Sequence, residues 1–138
     1  MAASQNYQEQ LQIFRYLKEQ RDMYQGQLEI INASLANILN TKLTIQNIKE
    51  GVKKDDEILV PIGGLAHIKV SMKDPEKVLV AVTQDVIIEK DLDGAIEILD
   101  MRVEQHNKEI EFIKNQIQNI DLNLQKTSQL IQREYLQQ

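Results

Sequence analysis

The sequence predicts an α+β protein: a long antiparallel two-helix coiled coil with two β-hairpins between its helices. Three observations carry that prediction. First, the chain breakers cluster. Residues 4–49 and 91–138 hold no proline and one glycine each (Gly26 and Gly94), while residues 50–90 hold Pro61, Pro75, Gly51, Gly63 and Gly64. Second, both breaker-poor stretches carry a sustained seven-residue apolar repeat. Third, the middle holds short apolar runs separated by turn residues. A length of 138 residues suits a single domain over 1–138, with helices at 4–49 and 91–137 and hairpins at 58–90.

In the first arm, Tyr7, Phe14, Arg21, Leu28, Leu35 and Lys42 fall at heptad position a. Gln10, Leu17, Tyr24, Ile31, Ile38 and Ile45 fall at d. Gln, Asn, Lys and Glu fill most flanking sites, which is the pattern of a coiled coil. Gly26 falls on the outer face, where it costs about 1 kcal/mol of helix propensity without removing packing.

In the second arm, Ile96, Val103, Ile110, Ile117, Leu124 and Ile131 take position a, and Leu99, His106, Ile113, Ile120, Thr127 and Glu134 take d. Asp91 or Asp93 can cap its start. Arg21, Lys42 and His106 read as polar seam residues that set register. The arms match in length, about 70 Å each at 1.5 Å per residue. Equal arms joined by a middle segment fold back antiparallel, as an elongated hairpin. That pairing puts Leu28 near Phe112 and Ile113, and Tyr7 near Arg133 and Glu134.

In the middle, Ile58–Ile62 and Leu65–Met72 flank Gly63-Gly64, a two-residue hairpin signal. Val78–Val82 and Val86–Lys90 flank Thr83-Gln84-Asp85. Ala66, Ile68, Val70 and Met72 alternate with a mostly polar set, so the second strand has one dry face. Leu59-Val60, Val78–Val82 and Val86–Ile88 do not alternate, which implies burial on both faces. Two hairpins on one thin helix pair cannot cover both faces or their own edges. Oligomerisation through Leu59, Val60, Ile62, Ile68, Val70, Val78, Val80, Val82, Val86 and Ile88 follows.

Composition excludes several classes. The absence of Cys removes disulfides, thiolate metal sites and a Cys nucleophile. A net charge of −5 argues against nucleic acid. The arms agree, with 5 basic and 5 acidic residues over 1–50 and 5 against 9 over 91–138. No apolar run is long enough for a membrane span, and MAASQNYQEQ has no signal-peptide pattern; a cytoplasmic address is expected. His67 and His106 lie in different segments with no metal spacing, and no phosphate-binding loop follows Gly63-Gly64. No catalytic residue, metal or cofactor is expected.

The succession ILVPIGG (58–64), VAVTQDVIIEK (80–90) and DLDGAIEILDMRV (91–103) between two heptad arms resembles prefoldin, in its archaeal α class with two hairpins per chain. The resemblance implies a hexamer of two α and four β-class subunits, in which the hairpins form a β-barrel body on oligomerisation. It further implies an ATP-independent chaperone, a holdase that binds unfolded or nascent polypeptides at its coiled-coil tips. Such chaperones deliver their clients to a group II chaperonin in the cytoplasm.

The expected tip holds Tyr7, Leu11, Ile13, Phe14 and Leu17 on one arm and Leu130, Ile131, Tyr135 and Leu136 on the other. That stripe is wider than two helices need. Read from the residues alone, it is either the covered end of a coiled coil or an exposed patch that grips non-native chain. The resemblance favours the second. The competing class is a coiled-coil scaffold or adaptor binding one folded partner, which needs no strands between its arms.

Overall fold

Helix α1 runs Ala2–Gly51 and helix α2 runs Leu92–Leu136. Between them lie β1 (Glu57–Pro61), β2 (His67–Ser71), β3 (Lys77–Ala81) and β4 (Ile87–Asp91). The structure, a computed structural model, describes residues 2–137, with side chains from Gln5 onward. Met1 and Gln138, the limits of the expected domain, lie outside the described residues. The chain divides into two units, residues 1–34 with 105–138 and residues 35–104.

The first unit is helix on helix. Arg21 Nε donates to Asp121 Oδ1 at 2.6 Å, and Ser34 Oγ lies 2.9 Å from His106 Nε2. The residue numbers of these pairs total 142 and 140, so the helices run antiparallel within a residue or two of the register expected at Leu28. Ile113, Ile120 and Thr127 are its buried seam residues, all at d positions. Arg21 at an a site is the register device the heptad implied: its head leaves the seam for a carboxylate on the other helix. Bonding to Asp121, reinforced by charge, holds its pKa above the ordinary arginine value.

The second unit joins the helices to the hairpins. Lys42 Nζ reaches Asp100 at 2.6 Å and Lys49 Nζ reaches Asp93 at 2.5 Å, again antiparallel. Its core is Ile38, Ile45, Val80, Leu92, Ala95 and Leu99, with Val78, Ile88 and Ile96 packed against it. The heptad assignment holds in both units: every a and d residue from Tyr7 to Ile45 and from Ile96 to Glu134 is half-buried or buried. A Cβ on Gly26 would meet nothing within 4 Å, as its outer position requires.

The hairpins form two separate two-stranded sheets. In the first, Ile58 faces Val70 and Val60 faces Ile68. Ile62 N–H donates to Ala66 O at 3.0 Å, so three residues, Gly63 to Leu65, make the turn. This corrects the two-residue Gly-Gly turn. Ile62 is bonded to Ala66 instead of Leu65, a register shifted by one residue on β2; Gly63 takes φ +140°, open to glycine, and Leu65 is a fully exposed loop residue rather than the start of β2. In the second, Val80 faces Ile88, and Thr83-Gln84-Asp85 turns the chain as expected.

Strand β3 alternates despite its continuous apolar run. Val78 and Val80 are covered, while Leu79 is 73% exposed. The run is thus explained by two different surfaces, one against the chain's own helices and one open. Arg102 of α2 donates to Ala81 O at 2.6 Å and Val82 O at 3.3 Å, fixing the end of β3 to the helix. Strand β4 passes into α2 with no intervening residue. Asp91 caps the helix by accepting Gly94 N–H at 2.9 Å. Asp93, the other capping candidate, bonds Lys49 instead.

Candidate functional site

Two surfaces concern function. The terminal surface belongs to the first unit. Tyr7, Leu11, Phe14, Leu17 and Ile131 are half-buried, as a, d and flanking sites of a helix pair should be. Ile13, Leu130, Tyr135 and Leu136 stand out at 45%, 41%, 66% and 82% exposure. The expected tip residues therefore divide into a seam and an open apolar fringe around it. Lys18 Nζ lies 5.5 Å from the Phe14 ring centroid, so the half-covered aromatic keeps a cation beside its face.

A further row was missed in the sequence. Tyr16, Met23 and Ile30 are exposed by 60%, 45% and 72% on the outside of α1. They recur every seven residues, at position c. The signal was there as a second heptad phase, weaker than the a and d seam and masked by it.

The hairpin surface belongs to the second unit. Of the residues expected to assemble, Val78, Val80 and Ile88 pack on the chain's own helices. Val60 and Val70 are half-buried. Leu59, Ile62, Ile68, Val82 and Val86 are exposed by 45–63%. Leu79 and Ile87, passed over in the sequence, are exposed by 73% and 63% and belong with them. Only the register of Val80 against the helices tells Leu79 from its neighbours, and an unbroken apolar run hides that register.

Arg21–Asp121, Lys42–Asp100 and Lys49–Asp93 pair across the helices. Lys49 is held above the ordinary lysine pKa by its hydrogen bond to Asp93, with the charge of Asp93 adding to it. Among the described residues, no three of His, Asp and Glu converge as a metal site, and no helix is long and apolar enough to cross a membrane.

Antiparallel helices that pair through heptad seams, carry two hairpins between them and leave apolar strand faces open define a coiled-coil assembly subunit. The comparisons with known proteins agree. The family model described as Prefoldin subunit matches residues 17–137. The chain belongs to the prefoldin family of chaperone subunits. It is 35% identical to the prefoldin subunit alpha of Methanococcus maripaludis over 100 residues, 70% of this chain and 69% of that one. It is 27% identical to the prefoldin subunit alpha of Thermofilum pendens over 78% of this chain and 82% of that one. Among solved structures, it matches filamentous PFD from Methanocaldococcus jannaschii with a TM-score of 0.73 at 16% identity, covering 83% of this chain and 94% of that one, a likeness of fold.

Proposed function

We propose that this chain is the α-class subunit of an ATP-independent holdase. It assembles through its hairpins with β-class subunits, two α with four β, into a β-barrel body. It holds unfolded or nascent polypeptides at the terminal surface and delivers them to a group II chaperonin in the cytoplasm.

The observation that carries the reading is the open fringe of Ile13, Leu130, Tyr135 and Leu136 around a half-buried helix seam. Each keeps 41% or more of its surface open beside the helix pair. Burying such a group against a client yields roughly 1.5–3 kcal/mol at most. No fixed shape is demanded of the client, and several tips acting together gain avidity. The row Tyr16, Met23 and Ile30 extends the same chemistry along α1.

The test replaces the four fringe residues with serine together and follows aggregation of a denatured enzyme beside the mass of the assembled complex. The expected result is an intact assembly that no longer suppresses aggregation. Full suppression by an intact assembly moves the client surface off the fringe and overturns the assignment.

A further inference from the structure

A groove of about 960 Å³ lies where α1 ends, β2 passes to β3 and α2 begins, all within the second unit. It is large enough for a drug-sized molecule or a few residues of chain. Ile48, Val52, Pro75 and Leu92 supply its apolar lining and are half-buried or buried. Lys53, Lys54 and Lys73 line it as well, and all three are exposed.

Main-chain bonds bring these lysines together. Asp56 N–H donates to Lys53 O at 3.1 Å, and Lys53 N–H donates to Asp56 Oδ2 at 2.8 Å, closing a turn over residues 53–56. Asp55 N–H donates to Met72 O at 2.7 Å, and Met72 N–H donates to Asp56 O at 2.8 Å. The turn is thereby fastened to the residue before Lys73. Within it Asp55 holds φ +70°, where glycine is the relaxed choice. Non-glycine backbone held in that region gathers at ligand-binding segments.

The charges of the groove are unevenly engaged. Its four lysines formally balance four carboxylates. Lys49 pairs with Asp93, Asp91 caps α2, and Asp74 Oδ1 accepts Glu76 N–H at 3.0 Å. Among the described residues, the ammonium groups of Lys53, Lys54 and Lys73 have no hydrogen bond or ion pair. Three ammoniums with unfilled donors thus stand beside an apolar lining, against one unengaged carboxylate, that of Glu76. Asp55 and Asp56 are outside the lining.

That combination selects the chemistry of a partner. Ammonium groups take carboxylates or phosphates as point charges. A free inorganic anion would leave the apolar lining uncovered. A nucleic acid demands a wider basic footprint than three lysines on a chain of net charge −5. A short acidic segment with one apolar side chain uses both parts, its carboxylates at the lysines and its side chain on Val52 and Pro75. None of the groove's residues belongs to the terminal fringe or to the open strand faces of Leu59, Leu79 and Ile87.

We propose that the groove lined by Lys53, Lys54 and Lys73 docks a short acidic segment of a partner protein, anchored by one apolar side chain. The proposal goes beyond the client-holding reading and does not depend on it.

The test uses the full chain and a labelled peptide of glutamates around one leucine, followed by fluorescence anisotropy at about 50 and 150 mM salt. Saturable binding that weakens at the higher salt is expected. Lys54→Gln and Lys73→Gln should each weaken it about threefold, and together about tenfold, with helix content unchanged by circular dichroism. Lys126→Gln, in the other unit, should have no effect. Serine in place of the peptide's leucine should weaken binding about tenfold, and glutamines in place of its glutamates should abolish it. No saturable binding up to about 1 mM, or binding untouched by the lysine changes, overturns the proposal. Equal binding of the glutamine peptide shows capture by apolar contact alone and overturns it too. So does loss of binding when Ile13, Leu130, Tyr135 and Leu136 become serine, which makes the peptide a client. Displacement by an equal concentration of inorganic phosphate gives the lysines to a small anion. Tighter binding of a single-stranded oligonucleotide gives them to nucleic acid. Either outcome removes the acidic segment.

Discussion

The Asp91 carboxylate accepts the main-chain N–H of Gly94 at 2.9 Å, and a Cβ placed on Gly94 would stand 2.5 Å from the same oxygen. The cap and the glycine are therefore one device. Within a helix, Gly→Ala is ordinarily worth about 1 kcal/mol in stability. Here the added methyl displaces the cap, itself worth about 1 kcal/mol. Gly94→Ala alone should leave stability almost unchanged, whereas in an Asp91→Ala background it should stabilise. A double-mutant cycle by urea denaturation should return a coupling of about 1 kcal/mol, and strict additivity would show that the two residues act separately.

Val80 and Leu79 are neighbours with opposite roles, one 7% exposed in the helix-facing core and the other 73% exposed on the open face. Val80→Asp should cost several kcal/mol by burying an unpaired carboxylate and lower the unfolding midpoint of the subunit. Leu79→Asp should leave the midpoint of the subunit within about 1 kcal/mol and act on assembly. Thermal unfolding beside size-exclusion elution checks both, and equal midpoints for the two variants would contradict the strand's assigned faces.

The Lys49–Asp93 bond has a definite pH signature. A lysine whose folded pKa is raised contributes stability fully below its ordinary value of 10.5 and loses it as pH rises through the folded value. The stability difference between wild type and Lys49→Met should therefore be flat from neutral pH to about pH 10 and shrink above it. Both groups are largely exposed, so the difference should also fall with added salt. Urea titrations across that range check the sign, and a difference that grows at alkaline pH would contradict it.

How much of this was legible depends on where the information lies. A heptad is a property of the sequence alone, so the seam from Tyr7 to Ile45 and from Ile96 to Glu134 could be read residue by residue. The polar seam residues Arg21, Lys42 and His106 could be identified as register devices, but their partners Asp121, Asp100 and Ser34 could not. Partners depend on the cross-helix register to within one residue. The hairpins were legible through their turn residues, yet Gly63-Gly64 suggested a shorter turn than the ladder leaves. The split of β3 into Val80 and Leu79 was illegible, because both faces of that strand are apolar for different reasons. At the terminal surface the apolar residues were found, while their division into seam and fringe needed the second helix.

Strand β4 gives way to α2 at Asp91 with no spare residue, whereas residues 52–56 separate α1 from β1. The two helices therefore differ in their tolerance of insertions and deletions. A residue added within 52–56 lengthens a connection. A residue added after Asp91 either gives up the cap or turns every following seam position by about 100°, carrying Ile96, Leu99 and Val103 away from α1. Length variation in this chain is expected to collect on the α1 side of the hairpins and to be purged from the α2 side.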